Sequence, residues 1–377
     1  MKVLFISNDP TIFVAKSPAR TRMCAYAKAI GELHIVSSVF CAGRDEQEGS
    51  LFLHPVYVSK LFRVHALAKR AHALVLEYGI EIVSAQDPFE HGLAAFRAVR
   101  GTKVKLHIQV HTDFLSPWFV KGGNLRSLRV RMLFLNCYRR KIADRVLPNA
   151  DGIRAVSERV KASLLARYAS RIPKPTVLPI AVDTTVSEPV LLPSHSFTFA
   201  LIAVGRLEPE KRVEDIIAAL KLVVVHYPMI GLFVVGEGSE RSRLERMAYS
   251  LNLKDNIIFL GSRPDARGLM RSAQAFIQAS AYEGYGRTLI EAALAKVPII
   301  TTDVGIVGNV FKKDEDVLSV PVANPEALSH RIMTIIENNA MRRELSMHAE
   351  TTALTHLTAI DHLPERIRAD LEQLTHS

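Results

Sequence analysis

The chain is poor in the residues that mark several function classes. It has 3 cysteines in 377 residues. Cys24, Cys41 and Cys137 share no metal-ligand or redox spacing, which argues against a disulfide scaffold or zinc module and suits a reducing, cytoplasmic compartment. No apolar run approaches the roughly 20 residues needed to cross a bilayer. The opening "MKVLFISNDP" reads as a buried strand ended by a turn, with no cleavage site, so no signal peptide is expected. Aromatic residues make up 7% of the chain, too few to interleave with basic residues as a nucleic-acid surface would. No strand-like run precedes a complete G-x-G-x-x-G: "GEGSER" lacks the third glycine and follows the wrong strand, which disfavours a dinucleotide oxidoreductase. "DED" at Asp314 to Asp316 lies in a charged "KKDED" turn, and no other cluster of carboxylates or histidines has metal-ligand spacing. No metal or other cofactor is therefore expected.

What is present describes an ordinary globular enzyme, 48% apolar and 23% charged, long enough for two hydrophobic cores. The net charge of +10 is uneven: 28 Lys and Arg face 15 Asp and Glu through residue 190, against 20 and 23 in the remainder. A basic half and a slightly acidic half imply different partners. Short apolar runs ("KVLFI", "LHIVSSVF", "IEIVSAQ", "VKLHIQV", "GIRAVS", "PTVLPIAVD") alternate with helical segments, the signature of a parallel sheet covered by helices. "TTVSEPVLLPSHS" has neither period and reads as a linker. The alternation then restarts with "FTFALIAVGRL", "IGLFVVGEG", "NIIFLG" and "AFIQAS". The expectation is two Rossmann-like, doubly wound α/β domains facing a cleft, residues 1–184 and 185–355, with a final helix over about 356–377 packing back on the first.

Four pieces of the second half sit at strand ends, where open α/β sheets bind ligands. "VGRLEPEK" carries Gly205, Arg206 and Lys211. "VGEGSE" carries Gly236 and Gly238. "YEGYGRTLIE" carries Glu283, Gly284, Tyr285, Gly286, Arg287, Thr288 and Glu291, and "TTDVG" closes a later strand. Glycines 284 and 286 permit close backbone approach to a ligand. Gly286, Arg287 and Thr288 begin a helix whose free N–H groups favour a phosphate. Arg206 and Lys211 add two cations. Glu291, one turn into the helix, can accept hydrogen bonds from ribose hydroxyls, and Glu283 can do the same for a sugar. The pattern reads as a site for a nucleoside-diphosphate sugar.

These stretches, with "NIIFLG" and "AALAKVPIITTDVG", resemble the retaining glycosyltransferases of family 4, which have the GT-B fold, over roughly residues 197–340. Glu283 and Glu291 match that family's E-x7-E pair, and Arg206 and Lys211 its diphosphate-binding Arg and Lys. The resemblance implies that Glu291 binds the ribose, that Glu283 contacts the donor sugar, and that the anomeric configuration is retained. "VHTDF", "QDPFEHG" and "VLPIAVD" resemble the acceptor domain more loosely. Two departures stand out. Where the family has a Gly–Gly loop after its first strand, this chain has Ser17, Arg20 and Arg22, which could contact donor phosphates or an acceptor phosphate. Asn309 stands where a Glu is common.

In the first half, His107, Gln109 and His111 share one face of a strand, and His111 lies at its end; the resemblance places a His near the donor sugar here. Asp113 is a weaker candidate. From Asn124 to Val146, Leu128, Met132, Leu135, Ile142 and Val146 recur at helical spacing. Arg126, Arg129, Arg139 and Arg140 elsewhere around that helix form either a solvated face or a contact with an anionic membrane or lipid-phosphate acceptor. The function these features imply is a glycosyltransferase using a nucleotide-sugar donor and a glycan or lipid-linked acceptor, with Glu283, His111, Arg206 and Lys211 nearest the chemistry. The alternatives are an epimerase of the same fold and a non-catalytic nucleotide-sugar-binding subunit.

Overall fold

The computed structural model describes residues 1–7, 9–39, 43–120, 127–185 and 187–375, without the side chains of 127–132. The chain divides into two compact units, one of Met1–Leu115, Val130–Pro179 and Ile360–Ser377, the other of Ser116–Arg129 and Ile180–Ala359.

The elements run β1 (Lys2–Ser7), α1 (Pro18–Ile30), β2 (Glu32–Val39), β3 (Glu46–Glu48), β4 (Leu51–Tyr57), α2 (Arg63–Tyr78), β5 (Ile82–Ala85) and α3 (Glu90–Val99). Next come β6 (Lys105–Val110), α4 (Pro117–Val120), α5 (Ser127–Val146), β7 (Gly152–Ala155), α6 (Glu158–Tyr168) and β8 (Thr176–Val177). The second sheet follows with β9 (Phe199–Val204), α7 (Val213–Val223), β10 (Ile230–Val235), α8 (Arg241–Ser250), β11 (Ile257–Gly261) and α9 (Ala266–Ser272). The chain ends with β12 (Ala275–Gln278), α10 (Arg287–Leu294), β13 (Ile299–Thr302), β14 (Leu318–Val320), α11 (Pro325–Glu337), α12 (Asn339–Ala359) and α13 (Leu363–Thr375).

The first unit's strands order as β3-β4-β2-β1-β5-β6-β7-β8 and the second's as β11-β10-β9-β12-β13-β14. Every described pairing is parallel except β3 with β4. Both are doubly wound sheets, and each reverses its strand order once, between β1 and β5 and between β9 and β12. The strands are continuous apolar runs because helices cover both faces; all six residues of β10 are buried. Helix starts are set locally. Ser17 accepts from the Arg20 N–H, Ser157 from Val160 and Asn324 from Ala327, with Pro18 and Pro325 at the first helical position. In the second unit Ile217, Leu220, Leu232, Ile277 and Ile332 meet in one dry core.

Three details depart from the pattern reading. "PTVLPIAVD" forms only the two-residue β8. The hairpin of β3 and β4 went unread, since β3 is three charged and polar residues and Pro55 interrupts β4. The supposed linker is strapped to the second unit across α9. The Arg267 guanidinium donates to the Asp183 carbonyl at 2.7 Å, the Thr185 carbonyl at 3.1 Å and the Asp183 carboxylate at 2.6 Å, and the Val190 N–H donates to the Gly268 carbonyl. Its partners lie on a helix rather than a sheet, so it carries neither period. At the far end of the chain α13 packs against α1 in the first unit, and α12 against α10 in the second. Arg267→Ala should raise cleavage between Asp183 and Val190 in limited proteolysis by roughly tenfold, the scale of one lost charge-assisted bond. An unchanged rate there would mean that the backbone tie at Gly268 suffices.

Candidate functional site

The loops after β9 and β12 flank the point where the second sheet reverses, and they are tied to each other. Lys211 Nζ donates to Glu283 Oε1 at 2.5 Å, and Ser280 Oγ donates to the same oxygen at 2.8 Å. The Ala281 N–H donates to the Glu210 carbonyl at 2.7 Å. A shallow recess opens beside this junction, its wall including Gly205, Arg206, Lys211, Gln278 and Ser280. Lys211 and Glu283 are mostly buried, whereas the Arg206 side chain is 72% exposed and pairs with Glu210 at 3.0 Å. Arg212, next in sequence, is folded away: it grips the Asp215 carboxylate at 2.6 and 2.9 Å and stacks over Trp118.

Gly286 has φ +94° and stands at the N-terminus of α10 with no side-chain cap, so no capping side chain takes up the first-turn donors. Thr288 donates its hydroxyl to Gln278 Oε1 at 2.7 Å. Glu291 lies against Arg287, 3.0 Å from its Nε. Burial raises the Glu291 carboxyl above its ordinary pKa, and the nearby charges of Arg287 and Arg267 oppose that rise. Gln278 was passed over in the sequence, where a lone Gln at the end of an apolar run looks ordinary. It is 6% exposed, and its Nε2 has no hydrogen-bond partner, which leaves a buried donor in the recess wall.

Other candidates land elsewhere. The Tyr285 ring is buried and its hydroxyl meets His356 Nε2 at 2.8 Å, where α12 packs, so a ligand on this loop would meet its backbone rather than its side chain. Gly236 and Gly238 are explained by chain against chain. A Cβ on Gly236, at φ +140°, would lie 1.9 Å from the Gly205 carbonyl oxygen, and one on Gly238 2.3 Å from that of Leu207. Gly305, in "TTDVG", meets the same limit 2.4 Å from the Tyr285 carbonyl oxygen. Asn309 is exposed in the following turn. The carboxylates of "DED" have ordinary partners: Asp314 binds Arg331, Glu315 binds Lys312, and Asp316 accepts from the Lys312 N–H.

In the first unit His111 is half-buried at the end of β6, and its Nε2 lies 3.0 Å from Gln109 Oε1. Desolvation, with the nearby charges of Arg154 and Arg22, pushes its pKa down to about 3 against the opposing pull of Asp87. Asp113 is buried close by in sequence. Arg20 is held by Glu46 and Glu48 at 2.8 and 2.7 Å, which settles its role as a tie between α1 and β3. Arg22 keeps partial exposure. On α5, Arg139 binds Glu90 at 3.0 Å, and Arg140 donates to the Phe114 carbonyl at 2.9 Å. Both arginines are committed within the protein, while Arg126 and the side chains of Leu128, Arg129 and Met132 lie outside the described residues. Ile142 and Val146 are buried as the stripe predicts, but Leu135 is 40% exposed beside Phe134 and Tyr138.

Two family models match the chain: "Glycosyl transferases group 1" over residues 196–352 and "Glycosyltransferase Family 4" over residues 21–186. Among curated relatives, the lipopolysaccharide core biosynthesis glycosyltransferase LpsD of Rhizobium meliloti is 28% identical over 42% of this chain and 46% of its own. The matches span less than half the length of the first curated relatives, 26%, 46% and 41%. Among solved structures, sucrose-phosphate synthase from Thermosynechococcus elongatus superposes with TM-score 0.80 at 18% identity, over 100% of this chain and 99% of that one. HepE of Anabaena, solved with UDP and glucose, gives TM-score 0.70 at 18% identity over 99% and 100%. These likenesses show a GT-B fold.

Gly236→Ala should cost roughly 3 kcal/mol, since the methyl group meets backbone and the residue keeps a positive φ. Urea unfolding monitored in the second unit checks this; a midpoint equal to wild type would show that the two loops separate easily.

Proposed function

The chain belongs to the family-4 glycosyltransferases, and from that premise we propose that it moves a sugar from a nucleoside-diphosphate donor to a glycan or lipid-linked acceptor with retention of configuration. The observation that carries this reading is the junction at the β9/β12 reversal. There an exposed Arg206 and Lys211, the latter paired with Glu283, line one recess, and Thr288 in the first turn of α10 donates to Gln278 in its wall. In this reading Arg206, Lys211 and the backbone from Gly286 to Thr288 hold the diphosphate, with Gly205 and Gly284 leaving room for it. Glu291 accepts from the ribose, and Glu283 from the donor sugar. The likeness to HepE, solved with UDP and glucose, favours a uridine nucleotide and a hexose.

No carboxylate is assignable as a nucleophile, so a front-face route is the working mechanism. The bond from the anomeric carbon to the leaving phosphate oxygen breaks as the acceptor oxygen bonds the same face. The acceptor's proton passes to the departing phosphate. The protein's contribution is electrostatic: cations and oriented N–H groups stabilise charge that grows on the diphosphate as the bond breaks. His111, neutral and half-buried, contacts a sugar hydroxyl.

On the acceptor side the relative LpsD is named for lipopolysaccharide core biosynthesis, which favours a cell-envelope glycan. Phe134, Tyr138, Lys141 and Arg145 are exposed on α5 at helical spacing that puts them on one face. Two aromatics and two cations on an outward face suit the headgroup region of an anionic leaflet. Of the four arginines expected at a membrane, Arg139 and Arg140 are engaged within the protein, and Arg126 and the Arg129 side chain lie outside the described residues.

Arg206→Ala should lower turnover roughly a hundredfold with native circular dichroism, the scale for losing one charge contact in the transition state. Calorimetric titration should separate the acidic pair. Glu291→Ala weakens both UDP and UDP-glucose, while Glu283→Ala spares UDP and impairs use of the sugar donor. Wild-type turnover without Arg206, or the reverse pattern for the pair, overturns the assignment.

For the membrane face, the protein should sediment with anionic but not neutral liposomes at low salt and be released at high salt. Each basic residue is worth about 1 kcal/mol at such a surface, so Lys141→Glu with Arg145→Glu should abolish binding. Equal binding to neutral vesicles would exclude it.

A further inference from the structure

Behind His111 runs a chain of polar side chains that the proposed chemistry does not use. Ser84 Oγ lies 2.7 Å from His107 Nδ1, and Gln109 Nε2 donates to Ser84 Oγ at 3.0 Å. Gln109 Oε1 accepts from Arg154 Nη1 at 3.1 Å and lies 3.0 Å from His111 Nε2. At the other end, His107 Nε2 stands 3.3 Å from Asp370 Oδ2 on α13, an ion-pair separation whose alignment falls short of a hydrogen bond. All of these groups except His111 are buried.

Donors and acceptors in this chain admit one direction. Asp370 is a carboxylate, held below its ordinary pKa by His107, Thr176 and Arg154 against burial. A neutral His107 with its hydrogen toward that carboxylate has Nδ1 as an acceptor, and the amide orientation follows independently from Arg154, which can donate only to the Gln109 oxygen. Ser84 donates its hydroxyl to that Nδ1 and so accepts from the Gln109 amide. That fixes the amide with its oxygen toward Arg154 and His111. Arg154 can only donate, and two carbonyls, Leu178 at 3.0 Å and Pro179 at 2.6 Å, hold its other nitrogens. An oxygen already facing a guanidinium accepts; it cannot donate. Hence His111 presents a hydrogen at Nε2.

We propose that Gln109 and Arg154 are positioning residues that lock His111 in its neutral Nε2–H form, leaving the Nδ1 lone pair as the acceptor for a substrate hydroxyl. The relay rests on the glycosyltransferase reading of His111, but its direction comes from the protein alone. The charged groups that bear on the ring are Arg154 on β7, Arg22 on α1 and Asp87 after β5. The two cations oppose protonation and Asp87 favours it. With the first pair and desolvation prevailing, the ring stays neutral through the physiological range. A second hydrogen on His111 would fill the lone pair that meets the hydroxyl.

The test is the imidazole nitrogen spectrum of the full chain labelled with ¹⁵N-histidine, without substrate, with His111 assigned by the signal lost in His111→Gln. The expected result is one neutral Nε2–H tautomer, unchanged from pH 8 to pH 5. Gln109→Glu puts a carboxylate against the ring and should raise its pKa into that window, so kcat should fall about tenfold per pH unit below the new value. The activity midpoint should coincide with the ring titration. An Nδ1–H tautomer in the wild type, ordinary titration near neutrality, or a Gln109→Glu profile identical to wild type would each overturn the relay. Absence of any sugar transfer by the wild type would instead be a failure of the proposed function, and the ring spectrum is independent of it.

Discussion

The second unit depends on one ion pair between two loops. Lys211 and Glu283 are 72 residues apart in sequence and meet at 2.5 Å, across the point where the sheet reverses its order. A mostly buried pair of this kind is costly to break on one side, because the remaining charge stays in a poorly hydrated place. The backbone bond from Ala281 to Glu210 sits beside it, so the two loops behave as one wall. With that wall fixed, Arg206 and Lys211 line one recess, and α10 is tied to its wall through Thr288 and Gln278. Arg206 is left mostly in water, where it can move to a ligand at little cost.

The doubly wound sheets were legible because both signals are local. Apolar runs alternate with helical spacing, and each strand ends in glycine or a polar turn. The carboxylates and cations of the second unit were legible too, as residues at strand ends. Their pairing was not, since no sequence period connects Lys211 to Glu283. The inward ring of Tyr285 was hidden for the same kind of reason: it sits inside a ligand-like stretch, and its hydroxyl meets His356 on the distant α12. The basic helix misled in the opposite direction. Its arginines look like a surface, but Glu90 and the Phe114 carbonyl claim two of them, and the exposed face is drawn instead by Phe134, Tyr138, Lys141 and Arg145.

The glycines show how one residue type answers two constraints. Gly236 and Gly238 exist because the loop after β10 runs against the backbone of the loop after β9, with no space for a methyl group. Gly286 does something different, turning the chain through a positive φ to start α10 without a side-chain cap over its first N–H groups. A glycine-rich loop is therefore not by itself a ligand signal. The useful distinction is whether a Cβ would strike the protein or open space.

The two units also treat polar groups in opposite ways. In the second, one of the two cations proposed to meet a phosphate, Arg206, stays at the surface, where hydration lets it exchange partners. In the first, Arg154 is buried and fully engaged, so it cannot serve as a mobile counter-ion for any substrate. A cation so placed acts as a fixed field, and its strongest effect falls on the groups that share its acceptor. Gln109 is that acceptor, and His111 is the next group along. The consequence is chemical rather than architectural: a histidine beside two arginines loses its proton and keeps its lone pair, which suits it to accept from a neutral hydroxyl and not to bind an anion. The proposed phosphate contact and the proposed sugar contact thus each involve a guanidinium, mostly exposed in one unit and buried in the other.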